Sequence, residues 1–146
     1  MNIFTKKTSN FCYNKIESNI DVLTDKYLEL QNSFNILDKD LYYKTDRYRG
    51  FSMINVININ NIKNIGDAKF YQSSDLNNHN GGILRNYKNV KDNVLDNLYF
   101  KYYIELFINK IKDDYKYTPK YLNVHQIRVN IDNNNTVVPE GIHRDG

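Results

Sequence analysis

The sequence predicts an α+β domain that begins with helical segments. Two segments repeat apolar side chains at steps of three or four residues, as one face of a helix requires, and three others are rich in β-branched and aromatic residues, as strands are. The 146 residues fit one domain, residues 1–146. Because the strands gather late in the chain, we expect the sheet to be still incomplete at Gly146.

Two helices are predicted, over residues 14–37 and 91–112. The apolar positions at helical spacing are Ile16, Ile20, Leu23, Tyr27 and Leu30 in the first helix, and Val94, Leu95, Leu98, Tyr102, Leu106 and Ile111 in the second. Lys110 and Lys112 suit the C-terminal turn of the second helix, where the helix dipole favours positive charge. The large apolar share of that helix predicts that it packs along a sheet over much of its circumference.

Strands are predicted in three segments. Residues 47–59, RYRGFSMINVINI, follow a broken period of two. Residues 70–87 combine FYQS, a polar LNNHNGG loop and ILRNY, which predicts strand ends around a loop where Gly81 and Gly82 permit unusual backbone angles. Residues 121–146 contain YLNVHQIRVNI and TVVPEGIHRDG, which predict two strands joined by a turn of aspartate and asparagines.

Composition excludes several classes of protein. Cys12 is the one cysteine, so it has no disulfide partner, and we expect a reduced thiol in a cytoplasmic protein. No apolar stretch is long enough for a signal peptide or a membrane span, so we expect no membrane partner. The net charge is only +3 and lysines and tyrosines are scattered, so we expect no nucleic-acid partner.

His143 and Asp145 form the one histidine arrangement that suits metal binding. Residues two apart on a strand point to the same face, so an imidazole and a carboxylate can converge on one ion. The pair supplies two of the three ligands of a 2-His-1-carboxylate triad, which leaves positions on Fe(II) open for a co-substrate and oxygen. As a bare spacing it also fits a chance pair in an aspartate-rich chain.

Four sequence blocks carry a resemblance to a known family. They are RYRGF at 47–51, YQSSDLNNHNGGILRNY at 71–87, VHQIRV at 124–129 and PEGIHRDG at 139–146. In content and order they resemble the iron- and 2-oxoglutarate-dependent dioxygenase family that includes bacterial L-isoleucine 4-hydroxylase. The resemblance covers roughly the last hundred residues, and PEGIHRDG is its most specific block.

The resemblance implies a fold, a cofactor and a reaction. The fold is a double-stranded β-helix, the cupin-like jelly roll, with Fe(II) bound at one end by His143 and Asp145. The reaction is hydroxylation of a small molecule, for which a free amino acid is one candidate class. Molecular oxygen and 2-oxoglutarate are the co-substrates, and succinate and carbon dioxide are the products.

The chain departs from the family pattern after the motif. A distal histidine and an arginine that anchors 2-oxoglutarate should follow Asp145, whereas His79 and His125 precede it. We count four or five strands, and a jelly roll has about eight. We therefore expect the chain to be the N-terminal part of a longer dioxygenase domain, and to self-associate or to need a chain that supplies the missing strands. The alternative is a truncated, catalytically inactive jelly-roll fragment that acts as a binding or interaction module.

Five further side chains are candidates for contact with the substrate or 2-oxoglutarate: Tyr71, Gln72, His125, Gln126 and Arg128. Strand alternation places His125 on one face, and Gln126 and Arg128 on the other, so only one set can face the site. Each candidate also has a structural interpretation. His125 fits a hydrogen-bonded core histidine, Tyr71 a core aromatic and Gln72 an amide that closes a turn.

Three polar residues are interpreted as structural or mobile. Arg47 and Arg49 could bind a substrate carboxylate, but a solvated strand start is the favoured interpretation. His79 is expected in a mobile loop, of the kind that forms lids in enzymes.

Overall fold

The computed structural model describes residues 24–77 and 81–131, which form an α+β fold with antiparallel sheets. The helices are α1 (Thr24–Ser33), α2 (Asp92–Leu95) and α3 (Leu98–Tyr115). The strands are β1 (Arg47–Asn55), β2 (Lys63–Asn64), β3 (Lys69–Tyr71), β4 (Leu84–Asn86) and β5 (Tyr121–Val129). Short 3₁₀ turns occupy Phe34–Ile36 and Ile59–Asn61. The predicted fold class, α+β, is confirmed. In the described part of the chain no helix has the length and apolar character needed to cross a bilayer.

The strands form two sheets. The larger has the order β2-β1-β5, and its main ladder pairs β1 with β5 antiparallel from Arg47 opposite Val129 to Asn55 opposite Tyr121. The smaller sheet pairs β3 with β4, with Phe70 opposite Arg85. Because directly opposite residues in a ladder point to the same face, this register decides which side chains of β1 and β5 share a surface.

The apolar core lies between one face of the larger sheet and the helices. Its buried members are Ile54, Val56, Ile62, Val90, Val94 and Leu95. Leu30 of α1, Phe100 and Ile104 of α3, and Leu122 and Val124 of β5 pack against them. This face of the sheet is therefore covered largely by the helices of the fold itself.

The first helix and the first strand agree with the sequence prediction in part. Of the predicted helix 14–37, residues 24–33 are α-helical and 34–36 form a 3₁₀ turn, while residues 14–23 lie outside the described part. The strand predicted over 47–59 ends at Asn55. It ends there because the Asn55 side chain accepts the N–H of Ile57, and Asn58 then caps the following 3₁₀ turn through the N–H of Asn60.

The helix predicted over 91–112 is two helices. Asn97 interrupts it, since its side-chain oxygen accepts the backbone N–H groups of Tyr99 and Phe100 at 2.9 and 3.1 Å. The second helix then continues to Tyr115. No side chain of α3 is fully buried, and Leu98 remains 56% exposed. The prediction of packing over much of the circumference is wrong, because α3 meets the core along a single stripe.

Of the two glycines predicted to adopt unusual backbone angles, Gly82 does so, and Gly81 is required for a different reason. Gly82 has a φ of 76°, a conformation that favours glycine, and its N–H donates to the Gln72 carbonyl at 2.8 Å. At Gly81 a β-carbon would stand 2.4 Å from the carbonyl oxygens of Ser73 and Asn77, so only glycine fits. Both glycines therefore lie close against the backbone of the residues that follow β3.

Candidate functional site

The two faces of the larger sheet have different partners, as strand alternation predicts. Gln126 points towards the helices, where its Nε2 donates to the Ser33 hydroxyl at 2.8 Å. His125 points to the opposite face, and its ring lies 4.7 Å from the Phe51 ring and 4.9 Å from the Phe70 ring, centroid to centroid. Because Phe70 belongs to β3, these contacts join the smaller sheet to the face that the helices leave open.

A group of five side chains lies between the two sheets, and we call it the inter-sheet cluster. Its members are Arg49, Phe51, Phe70, Arg85 and His125. The Phe51 and Phe70 rings lie 5.3 Å apart. The Arg49 and Arg85 guanidinium carbons stand 5.1 and 5.2 Å from the centroid of the Phe70 ring. Positive charge and aromatic rings therefore alternate in this layer, an arrangement that cation–π attraction favours.

Arg49 is the most informative member of the inter-sheet cluster. It is only 6% exposed. Its Nη1 donates to the Tyr87 hydroxyl at 3.4 Å, and its Nη2 is hydrogen-bonded to Nδ1 of His125. Because a guanidinium only donates, Nδ1 of His125 is the acceptor in this pair. Burial lowers the pKa of the Arg49 guanidinium, and the neighbouring Tyr87 and Asp40 oppose that effect.

Asp40 lies at the edge of the inter-sheet cluster and is engaged by its own partners. Its carboxylate accepts the backbone N–H of Tyr42 at 3.1 Å, lies 3.5 Å from Nε of Arg47, and accepts the Tyr87 hydroxyl at 3.5 Å. Burial raises the pKa of Tyr87, so this hydroxyl stays protonated and bridges Asp40 to Arg49. Asp40 therefore acts on Arg49 through Tyr87, while it forms its ion pair with Arg47.

Of the five candidate contact residues predicted from sequence, His125 is the one that belongs to the inter-sheet cluster. Tyr71 is 59% exposed on the outer side of β3. Gln72 is buried and accepts a hydrogen bond from Asn77 at 2.9 Å, which closes the loop. Arg128 lies over the Tyr48 ring at 4.1 Å, on the helix-facing side with Gln126.

The burial of the two arginines in the inter-sheet cluster was not predicted from the sequence. The interpretation of Arg49 as a solvated strand start is wrong, because the side chain is buried against rings of two sheets. A signal was present: Arg49 stands two positions before the apolar Phe51, so both share the face that becomes covered. Arg85 is 1% exposed and carried no comparable signal. It is buried because it lies opposite Phe70 in the β3–β4 ladder.

The predicted metal ligands lie elsewhere in the chain. His143 and Asp145 are outside the described residues, as is His79. Within 24–77 and 81–131, no three histidine, cysteine, aspartate or glutamate side chains lie close enough together to hold a metal ion. The assignment of the PEGIHRDG side chains as Fe(II) ligands therefore stays a prediction, and the inter-sheet cluster in the described part offers cationic and aromatic groups.

Comparison with known proteins gives the family. The model of the 2OG-Fe dioxygenase family matches residues 31–146. The chain therefore belongs to the 2OG-Fe dioxygenase family, whose members generally use Fe(II) and 2-oxoglutarate and are oxidoreductases. The family predicted from the four sequence blocks is confirmed at this level. No curated protein matches the chain.

One solved structure shares the fold. It is the crystal structure of a bsmA homologue from Methylobium petroleophilum PM1, with a TM-score of 0.67 and 18% sequence identity. The match covers 84% of this chain and 51% of that one, so the chain spans about half the length of its solved relative. At this identity the likeness concerns the fold alone.

Proposed function

We propose that the chain forms part of an Fe(II)- and 2-oxoglutarate-dependent dioxygenase that hydroxylates a small molecule in the cytoplasm. The family match over residues 31–146 carries the proposal, because it includes the PEGIHRDG motif at 139–146. His143 and Asp145 are the proposed iron ligands, and a free amino acid is the proposed class of substrate. Bound Fe(II) together with 2-oxoglutarate supplies the oxidising power for converting a C–H bond to an alcohol.

The arrangement of the sheets supports a jelly-roll core. In a jelly roll two sheets face each other, and the groups that handle the substrate lie between them. In the described part, β3 and β4 face β1 and β5 across the Phe51, Phe70 and His125 rings. Aromatic rings of this kind exclude water and orient a bound molecule, which are the protein's tasks in such a reaction.

Formation of succinate tests the proposal. The full-length gene product is incubated with Fe(II), 2-oxoglutarate and a panel of free L-amino acids, and succinate and hydroxylated product are measured. We expect iron-dependent succinate with at least one amino acid. His143→Ala and Asp145→Asn should abolish it, since each removes a proposed iron ligand.

Asp67→Asn is the matched control for Asp145→Asn. It makes the same chemical change at an exposed carboxylate that pairs with Lys69 at 2.8 Å. This variant should retain the full rate. If no amino acid gives succinate above the level without iron, or if Asp145→Asn is as active as Asp67→Asn, the dioxygenase proposal is wrong and the inactive binding module becomes the better description.

A further inference from the structure

Arg49 carries a positive charge into the space between the sheets, and no carboxylate among the described residues is bonded to it. The hydrogen-bond partners that the structure gives its guanidinium are the Tyr87 hydroxyl and the His125 ring, both neutral acceptors. Its Nε is buried and has no hydrogen-bond partner among the described residues. A buried charge is costly unless it is paired and its donors are satisfied, so an arginine in this state is suited to receive an anion.

The side chains around Arg49 do not take the place of an anionic partner. The Phe70 and Tyr87 rings lie 5.1 and 4.7 Å from its guanidinium carbon, and cation–π attraction offsets part of the desolvation cost. Ring faces do not accept the in-plane N–H groups, however, so the Nε donor stays unsatisfied. Asp40 is paired with Arg47 at 3.5 Å and its hydrogen-bonded link to Arg49 runs through the Tyr87 hydroxyl, while its charge only partly opposes the effect of burial, since the pKa of Arg49 stays lowered.

We propose that Arg49 binds the carboxylate of a small-molecule ligand in the space between the two sheets. The planar guanidinium matches a carboxylate, and Nε with an adjacent Nη forms the edge that binds both carboxylate oxygens. Tyr87 and His125 bind Nη1 and Nη2 of the guanidinium, and Nε is the nitrogen without a partner among the described residues. The identity of the ligand rests on the proposed function, since in a dioxygenase of this family the carboxylate belongs to the substrate or to 2-oxoglutarate.

Binding measurements without iron test the inference separately from turnover. Isothermal titration calorimetry of the full chain uses three kinds of probe: 2-oxoglutarate, free L-amino acids, and the primary amides of the same amino acids. We expect at least one carboxylate probe to bind, and for an amino acid we expect its amide to bind much more weakly. Arg49→Gln should weaken that binding at least about tenfold, the loss expected for a charge-assisted hydrogen bond.

Lys69→Gln is the charge-matched control. It removes one positive charge from β3 next to Phe70, but from an exposed side chain that pairs with Asp67. Its affinities should equal those of the wild-type chain. A loss in Arg49→Gln that is confined to 2-oxoglutarate assigns the carboxylate to the co-substrate, and a loss confined to an amino acid assigns it to the substrate.

A folding defect in Arg49→Gln can be separated from a binding defect. Arg49→Lys keeps the charge and loses the two-pronged geometry, so it should fold and still weaken binding at least about tenfold. The Nε–H resonance of Arg49, assigned by its absence in Arg49→Lys, should shift when the carboxylate probe is added and stay in place when the amide is added. A purely structural arginine predicts no such difference.

The outcomes separate this inference from the proposed function. If neither 2-oxoglutarate nor any amino acid binds, or if Arg49→Gln binds them as the wild-type chain does, the inference is overturned even when the full-length protein forms succinate. If carboxylates bind through Arg49 and no succinate forms with Fe(II), the inference stands and the dioxygenase proposal fails.

Discussion

Gln126 of β5 donates a hydrogen bond from Nε2 to the Ser33 hydroxyl, 2.8 Å away and 93 positions earlier in the chain. The Ser33 hydroxyl in turn donates a hydrogen bond to the Leu30 carbonyl at 2.6 Å. Both residues are buried, with 5% and 6% exposure. The pair ties the end of α1 to the centre of the larger sheet.

Breaking this pair is expected to destabilise the fold. Ser33→Ala leaves a buried amide without its acceptor, so the free energy of unfolding should fall by about 1–3 kcal/mol in urea denaturation. A double-mutant cycle with Gln126→Ala should give a coupling of about 1 kcal/mol, because the two residues share one interaction. Strictly additive effects would show that the hydrogen bond contributes nothing to stability.

Asn97 is expected to be important for the start of α3. Asn97→Ala removes the acceptor for the N–H groups of Tyr99 and Phe100, and also the donor to the Lys26 carbonyl at 2.9 Å. We expect a loss of about 1–2 kcal/mol in thermal or urea unfolding. Asn97→Asp keeps the capping oxygen and loses the contact to α1, so its loss should be smaller. If Asn97→Asp loses as much stability as Asn97→Ala, capping is not the main role of Asn97.

Met53 and Ile54 offer a test of the two faces of β1. Ile54 is fully buried in the core, whereas Met53 is 43% exposed on the opposite face. Ile54→Ala should cost about 2–5 kcal/mol, because it leaves a cavity. Met53→Ala should cost about 0.5 kcal/mol or less, as an exposed substitution does. Urea denaturation of the two variants measures the contrast, and the reverse order would contradict the assignment of faces.

Tyr99 should titrate at unusually high pH. The hydrogen bond to Tyr103, together with burial, raises its pKa from 10.0 to about 12. Because the folded state binds this proton more tightly than the unfolded chain, the contribution to stability is complete below pH 10.0 and is lost as the pH rises towards 12. The absorbance of tyrosinate follows the titration.

Tyr103→Phe tests the cause of that shift. It removes the hydroxyl that accepts from Tyr99 at 3.5 Å, so the pKa of Tyr99 should fall towards 10.0. Tyr117→Phe, at an exposed tyrosine, is the control and should leave the high transition unchanged. A titration curve of Tyr103→Phe that still contains the high transition would refute the assignment to this pair.

Local patterns in the sequence predicted where most helices and strands lie. The exact ends of these elements and the packing of one sheet on the other depend on hydrogen bonds and contacts that such patterns do not contain. Val94, Leu95 and Leu98 keep the spacing of one continuous helix on both sides of Asn97, so the apolar pattern does not indicate a break there. The two helices are distinguished by the hydrogen bonds with which Asn97 caps the second one. The alternation of His125 and Gln126 was predictable because it depends on strand geometry alone.

The inter-sheet cluster was less predictable. Arg49 lies beside the Phe70 ring because β3 packs over β1, and although its spacing from Phe51 indicates a shared face, nothing near it in sequence indicates which segment covers that face. His143 and Asp145 were found from their own motif, and their assignment as ligands stays a prediction.

The ladder between β1 and β5 pairs Arg49 with Ile127 and Phe51 with His125, and so brings Arg49 and His125, which are 76 positions apart, within hydrogen-bond distance. The chain between the two strands must close into a loop of that length before the strands can pair. The conformational entropy of the loop is therefore lost before the hydrogen bonds and packing of the paired strands stabilise the structure. The chain should therefore fold slowly for its size, with the helices formed early. During synthesis, β1 leaves the ribosome well before its partner β5 and must wait unpaired, which makes it the segment most exposed to aggregation in the nascent chain.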